Sequence, residues 1–103
     1  PTSANQEDHV SMATYAARRL LEMSENAAYI VAIEALASCQ GVELRSPLTT
    51  SEPLQKAIAL IREKVSFYQE DRQHSLDIDW VKGLVQGGEF NPFMPKEMMP
   101  SFL

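Results

Sequence analysis

Cysteine is nearly missing from this chain. Cys39 stands alone among 103 residues, so no internal disulfide can form, and a reducing compartment suits the protein. Runs of lysine or arginine are missing too. Nine basic side chains face 14 acidic ones, for a formal net charge of -5 at pH 7. A chain with no basic stripe is a poor partner for a phosphate backbone, so no nucleic acid is expected. There are two histidines, His9 and His74, and neither His-x-x-x-His nor Cys-x-x-Cys occurs. Without ligand spacing of that kind no metal is expected. Four glycines form no phosphate-cradling loop and no Gly-x-Ser-x-Gly elbow, which argues against a nucleotide site and a serine hydrolase. The first ten residues are polar and include Glu7 and Asp8, unlike a signal peptide. The longest apolar stretch, residues 27–39, is short for a bilayer and contains Glu34. The expectation is a cytoplasmic protein with no membrane partner. The sequence starts Pro-Thr-Ser-Ala-Asn without an initiator Met, and is read as a segment of a longer chain or the product of tag removal.

What is present is a helical protein of one domain. The chain is 45% hydrophobic and 22% charged, an ordinary globular mixture. Residues 8–40 contain neither Gly nor Pro and predict one very long helix stopped by Gly41. Ser3 with Gln6 has capping-box spacing, and Asn5 is an alternative cap. At 1.5 Å per residue the helix would run roughly 50 Å. In its first half Ala16, Leu20, Met23 and Ala27 form an apolar seam. In its second half only Glu34 is charged, and a helix apolar on nearly every face needs other helices around it.

Ser51 is a plausible cap for a second helix over 53–68, whose stripe is Leu54, Ile58, Ile61 and Val65. A short third helix, 77–86, carries Ile78, Val81, Leu84 and Val85 and ends at Gly87-Gly88. The tail, 88–103, holds three of the six prolines and reads as an irregular strap. The expected fold is all-α, one very long N-terminal helix with shorter ones, part of a larger bundle. Two short helices are too little to wrap the long one, so it must pack against other chain or against copies of itself.

The segment with chemistry in it is Ser3 to Met12. At the entry of the predicted helix, unpaired N–H groups and the helix dipole would favour ionised Glu7 and Asp8. On this reasoning alone the two acids need have no further duty. Successive helical residues diverge by about 100°, so Glu7, Asp8 and His9 cannot converge on one ion. Cys39, in an apolar helix, reads as a small buried hydrophobe.

The string Asn5-Gln6-Glu7-Asp8-His9-Val10-Ser11-Met12 resembles the signature of the histidine-acting branch of the aromatic amino-acid ammonia-lyase family, in its C-terminal part. The resemblance continues through residues 19–23, Ala32-Ile33-Glu34, residues 37–41, Asp71-Arg72 and the Pro-containing end. It implies non-hydrolytic removal of ammonia from L-histidine to give urocanate. It also implies a methylidene-imidazolone electrophile, which the family builds from consecutive Ala-Ser-Gly. This chain has no such triplet. The nearest string is Ala37-Ser38-Cys39, so the chain by itself is expected to be inactive.

The residue that the resemblance carries over is Glu7, close to the substrate; relatives acting on phenylalanine resemble this string but have an amide at that place. A carboxylate accepts an N–H from imidazole, and a phenyl ring offers nothing to accept. Glu7 can also assist proton movement. Asn5, Gln6, Asp8 and His9 are expected to support it or cap the helix. The resemblance further implies a homotetramer of long helices, with Leu20, Met23, Ala27, Ile30 and Ala37 buried by neighbours. Glu34 is expected to be buried and paired. Two other readings stay open: a non-catalytic helical oligomerisation module, and a sister aromatic amino-acid lyase or aminomutase.

Overall fold

The computed structural model describes residues 3–101. Three α-helices carry the architecture: α1, Ala13–Leu44; α2, Glu52–Arg62; and α3, Ser75–Gln86. Short 3-10 turns lie at Ser3–Asn5, Asn91–Phe93 and Lys96–Met98. No strand occurs among the described residues, and the all-α expectation holds.

The long helix exists, but it is displaced along the chain relative to the expected 8–40. It begins at Ala13, with the Ser11 hydroxyl accepting the N–H of Ala13 at 3.4 Å. A local bond of that kind offers the backbone an alternative to helix. Neither the Ser3–Gln6 box nor Asn5 caps α1, since both lie well upstream of it. At the other end Gly41 does not stop the helix. A glycine inside a helix costs only about 1 kcal/mol, and α1 continues through Val42 and Glu43. It closes with tightened i to i−3 bonds, Arg45 N–H to Val42 O and Ser46 N–H to Glu43 O, both 3.1 Å.

One stripe of α1 is buried: Ala28, Ala32, Leu36 and Cys39. The 4-4-3 spacing keeps these residues on one face. The first two are alanines, short enough to let α3 lie close, and α3 is the principal partner of α1. Ile61 from α2, Val65 just after it and Val81 from α3 complete the buried cluster, with Ile58, Tyr68, Ile78, Trp80, Leu84 and Phe90 around it. The stripes expected on α2 and α3 are therefore in the core, except that Leu54 stays 56% exposed.

Expected boundaries shift where tertiary hydrogen bonds replace helical ones. α2 ends at Arg62, not 68: the Tyr68 N–H, which a helix to 68 would give to the Lys64 carbonyl, goes to the Gln40 side chain, and side chains hold the carbonyls around it. Arg62 Nη1 donates to Val65 O at 3.1 Å, Arg72 Nη2 to Ser66 O at 2.9 Å, and Gln40 bonds both the N–H and the C=O of Tyr68. α3 starts at Ser75, two residues before Asp77, with Ile78 N–H bonded to His74 O at 2.9 Å. It stops where expected, with Gly87 at the C-cap and Gly88 at φ 71. Ser51 occupies the N-cap of α2, without a side-chain cap bond.

The molecule is elongated, 66 × 37 × 21 Å, with a radius of gyration of 19.5 Å. A compact domain of this length would have about 13 Å. The excess comes from α1. None of its residues before Ala28 is buried, and Leu20, Leu21 and Met23 are 62%, 78% and 53% exposed. Even along the packed half, Ile30, Val31 and Ile33 face outward. α2 and α3 cover one side of α1 and no more. Glu34, expected to be buried and paired, is exposed in this chain, because no helix here covers its face.

By length and composition α1 is able to cross a membrane, with an 18-residue window of mean hydropathy 1.3. The apolar stretch read from the sequence is thus longer than residues 27–39. A helix built to be surrounded by other helices has the same profile.

Candidate active site

Two regions hold polar groups together, and only one of them contains the residues singled out from the sequence. The first joins the loop between α2 and α3 to α1. Glu43 pairs with Arg62 at 2.6 Å, with a second bond from Nε to Oε1 at 3.0 Å. Tyr68 Oη donates to Asp77 Oδ2 at 2.6 Å, and Arg72 reaches the same oxygen at 3.2 Å. The Arg72 guanidinium lies 3.9 Å from the centre of the Tyr68 ring, and the His74 ring 4.6 Å from it on a tilt. Partial burial and the bond to Asp77 push the Tyr68 hydroxyl up to about 12. A phenol held neutral and donating to a carboxylate is a fastener, not a base.

A smaller group fixes α3 to the middle of α1. Lys82 and Gln86 both bond Glu25, Lys82 stands over the Tyr29 ring, and Tyr29 Oη donates to Asp79 at 3.2 Å. Of these residues, the resemblance includes Arg72, and none is expected from the sequence to fasten the fold. Gln40, at the end of an otherwise apolar stretch, is the signal that could have shown a polar anchor there.

The second region is the segment ahead of α1. Asn5, Gln6, Glu7, Asp8 and His9 are all exposed. They follow a 3-10 turn in which Ala4 and Asn5 have φ 53 and 65. Glu7 lies six residues before Ala13, which corrects the expectation that the acids sit in the first turn of the helix. The pull of a helix dipole fades within one turn, and Glu7 lies beyond that reach of α1. The five residues share a short stretch of chain, and among the described residues no wall encloses them.

An apolar pocket of about 390 Å³ lies elsewhere, between α1, α2 and the strap, among Ala35, Cys39, Leu54, Ile58, Phe90 and Phe93. Burial pushes the Cys39 thiol up, with Arg62 pulling weakly the other way, so the thiol is not primed as a nucleophile. Among the described residues no three His, Cys, Asp or Glu side chains cluster as metal ligands would.

A family model described as aromatic amino acid lyase matches residues 1–63 of this sequence. The chain belongs to the aromatic amino acid lyase family. Among the lyases it is similar to the histidine ammonia-lyase of Desulfotalea psychrophila, 56% identical over 99% of this chain, and to that of Vibrio cholerae, 50% identical over 98%. The crystal structure of histidine ammonia-lyase from Trypanosoma cruzi matches 93% of this chain at 43% identity, with a TM-score of 0.75. In each comparison the chain spans about 20% of the relative's length. As a lyase segment it lacks consecutive Ala-Ser-Gly. Ala37-Ser38-Cys39 lies inside α1 with Cys39 buried, so these residues do not fit the role of an electrophile precursor.

Proposed function

We propose that this chain is the C-terminal part of a histidine ammonia-lyase and that it brings Glu7 to the substrate. The observation that carries the reading is the string Asn5-Gln6-Glu7-Asp8, set in a chain at least 50% identical over nearly its whole length to proteins named histidine ammonia-lyase. The whole enzyme converts L-histidine to urocanate and ammonia. A methylidene-imidazolone would supply the electrophile, and it would have to come from outside these residues, as would the base and the remaining substrate contacts. This chain alone is inactive.

Glu7 suits the substrate because an ionised carboxylate has several acceptor positions and no donor. Facing an imidazole, it accepts an N–H and stabilises positive charge on the ring through a charge-assisted bond. Facing the amino group, it accepts a proton that has to leave. Gln6, Asp8 and His9 flank it and orient it. Exposure of Glu7 in this chain is what a site completed by further polypeptide requires.

The uncovered faces of α1 support a homotetramer in which Leu20, Met23, Ala27, Ile30, Glu34 and Ala37 are covered by helices from elsewhere. Fully burying a side chain such as Leu or Ile contributes about 1.5–3 kcal/mol, so Leu20, Leu21 and Ile30 give the assembly a large driving force. A soluble cytoplasmic enzyme accounts for the hydropathy of α1 without a membrane. The same uncovered faces would also serve a non-catalytic oligomerisation module. An Ala-Ser-Gly triplet encoded upstream in the same gene decides for the enzyme.

The test is Glu7→Ala in the full-length enzyme, following urocanate by its absorbance. Loss of a hydrogen bond to a charged group removes about 1.5–3 kcal/mol, which lowers kcat/KM roughly 10- to 150-fold. A variant that works at the parental rate overturns the role.

A further inference from the structure

The segment that carries Glu7 opens with an uncommon backbone. Ala4 has φ 53 and ψ 40, and Asn5 has φ 65. Left-handed backbone crowds Cβ against the following carbonyl oxygen, so glycine enters it freely, Asn is tolerated, and Ala and β-branched residues are disfavoured. At Gly88 (φ 71), which closes α3, the sequence supplies the residue the geometry prefers. At position 4 it supplies Ala, which the geometry disfavours, and at position 5 Asn, which it tolerates, and the two lie next to each other.

Residues held in such conformations persist where their surroundings dictate them, and they gather at functional sites. Ala4 and Asn5 are both exposed, so packing within this chain does not impose the conformation. The residues after them form a turn at Gln6 and a bend at Asp8, which changes the chain's direction around Glu7. Backbone angles at one residue set where the side chain two positions later projects. An extended Asn5 would therefore aim Glu7 along a different direction.

We infer that Asn5 is a positioning residue. With Ala4 it forms a left-handed elbow that aims the Glu7 carboxylate at the histidine substrate, and Asn5 acts through its backbone and not its side chain. This rests on the reading of Glu7 above, deepens it, and differs from a role for the Asn5 amide in holding substrate.

The experiment uses the full-length enzyme, with L-histidine as substrate and tetramer content and helicity as controls. Asn5→Val, a β-branched residue opposed to positive φ, is expected to lower kcat by about 100-fold, the scale of an ångström-sized misplacement. Asn5→Gly removes the amide but keeps the left-handed conformation accessible, and recovers most of that loss. In a Glu7→Ala background, Asn5→Val causes no further fall in kcat. Should Asn5→Val not assemble, Ala4→Val carries the same expectation, with Ala4→Gly as its rescue.

Three results overturn the inference: parental kcat in Asn5→Val, a loss in Asn5→Gly as large as in Asn5→Val, or a further loss on adding Asn5→Val to Glu7→Ala. Glu7→Ala at the parental rate is a separate failure. It removes the role of Glu7 itself, whatever the Asn5 variants do.

Discussion

The two halves of α1 both carry large apolar side chains but have opposite surroundings. From Ala28 onward, one stripe of the helix is sealed by Ile61, Val65 and Val81 and fastened by Gln40, Glu43 and Arg62. Before Ala28, Leu20, Leu21 and Met23 lie in the open, and the segment with Glu7 continues outward from them. In the packed half this chain covers one stripe, while Ile30, Val31 and Ile33 still face outward. The open half, with the string around Glu7 ahead of it, is left uncovered by the described residues. The residues singled out by resemblance thus lie toward the less covered end of α1.

The contrast breaks first on core substitutions. Ile61→Ala, at 2% exposure, removes a side chain from the buried cluster, and a large-to-small change of that kind costs about 2–5 kcal/mol. Leu21→Ala, at 78% exposure, is expected to leave the stability of this chain within about 0.5 kcal/mol. Thermal unfolding followed by circular dichroism, at several concentrations, reads both. If Leu21→Ala destabilises the chain as strongly as Ile61→Ala, the open half is covered after all. A loss that grows with concentration would assign the cover to a second copy. In the full-length enzyme both substitutions should destabilise.

The next effect is smaller and depends on pH. Tyr68→Phe removes the bond to Asp77, worth about 1 kcal/mol, and with it a titration. The hydroxyl is raised from an ordinary 10 to about 12, so the folded chain holds the neutral phenol more tightly than the unfolded chain does. That stabilisation is complete below pH 10 and is lost as the pH climbs toward 12. Between those values the parent should lose stability more steeply than Tyr68→Phe. Urea midpoints across the range measure it, and parallel slopes would mean that Tyr68 does not fasten the loop.

Much of the packed half was legible in the sequence. Ile58, Ile61 and Val65 show the stripe that reaches the core, and Gly87-Gly88 marks the end of α3 correctly, because periodicity and glycine both act locally. The misreadings have non-local causes. Residues 63–68 have helical periodicity, yet Gln40, Arg62 and Arg72 capture their backbone groups, and no window of sequence contains all three donors. Gly41 looked like a stop because the rule for glycine ignores what lies beyond it. At the candidate site the string around Glu7 was visible through resemblance. Its place ahead of the helix was not, since Ser3, Gln6 and Asn5 carry the cap signals in sequence while the Ser11 hydroxyl is what bonds the first N–H of α1. Glu34 shows the limit most plainly: the sequence led to an expectation of burial, and among the described residues no helix covers it.

The smallest expected effect concerns charge in the open half. Arg19 and Glu22 pair at 3.0 Å, one turn apart, with side chains 51% and 70% exposed. Glu43 and Arg62 pair at 2.6 Å with exposures of 31% and 16%, and the same guanidinium also binds the Val65 carbonyl. Water and salt screen the first pair, and two long side chains lose rotamer freedom to make it, so exposed pairs contribute about 0–1 kcal/mol and those along a helix about 0.3–0.5. Arg19→Ala should therefore shift stability by less than about 0.5 kcal/mol, and the shift should vanish in high salt. A larger, salt-resistant loss in this chain would mean that the Arg19–Glu22 pair is screened from water. The open half would then have a partner of its own, and the division of α1 at Ala28 would fail.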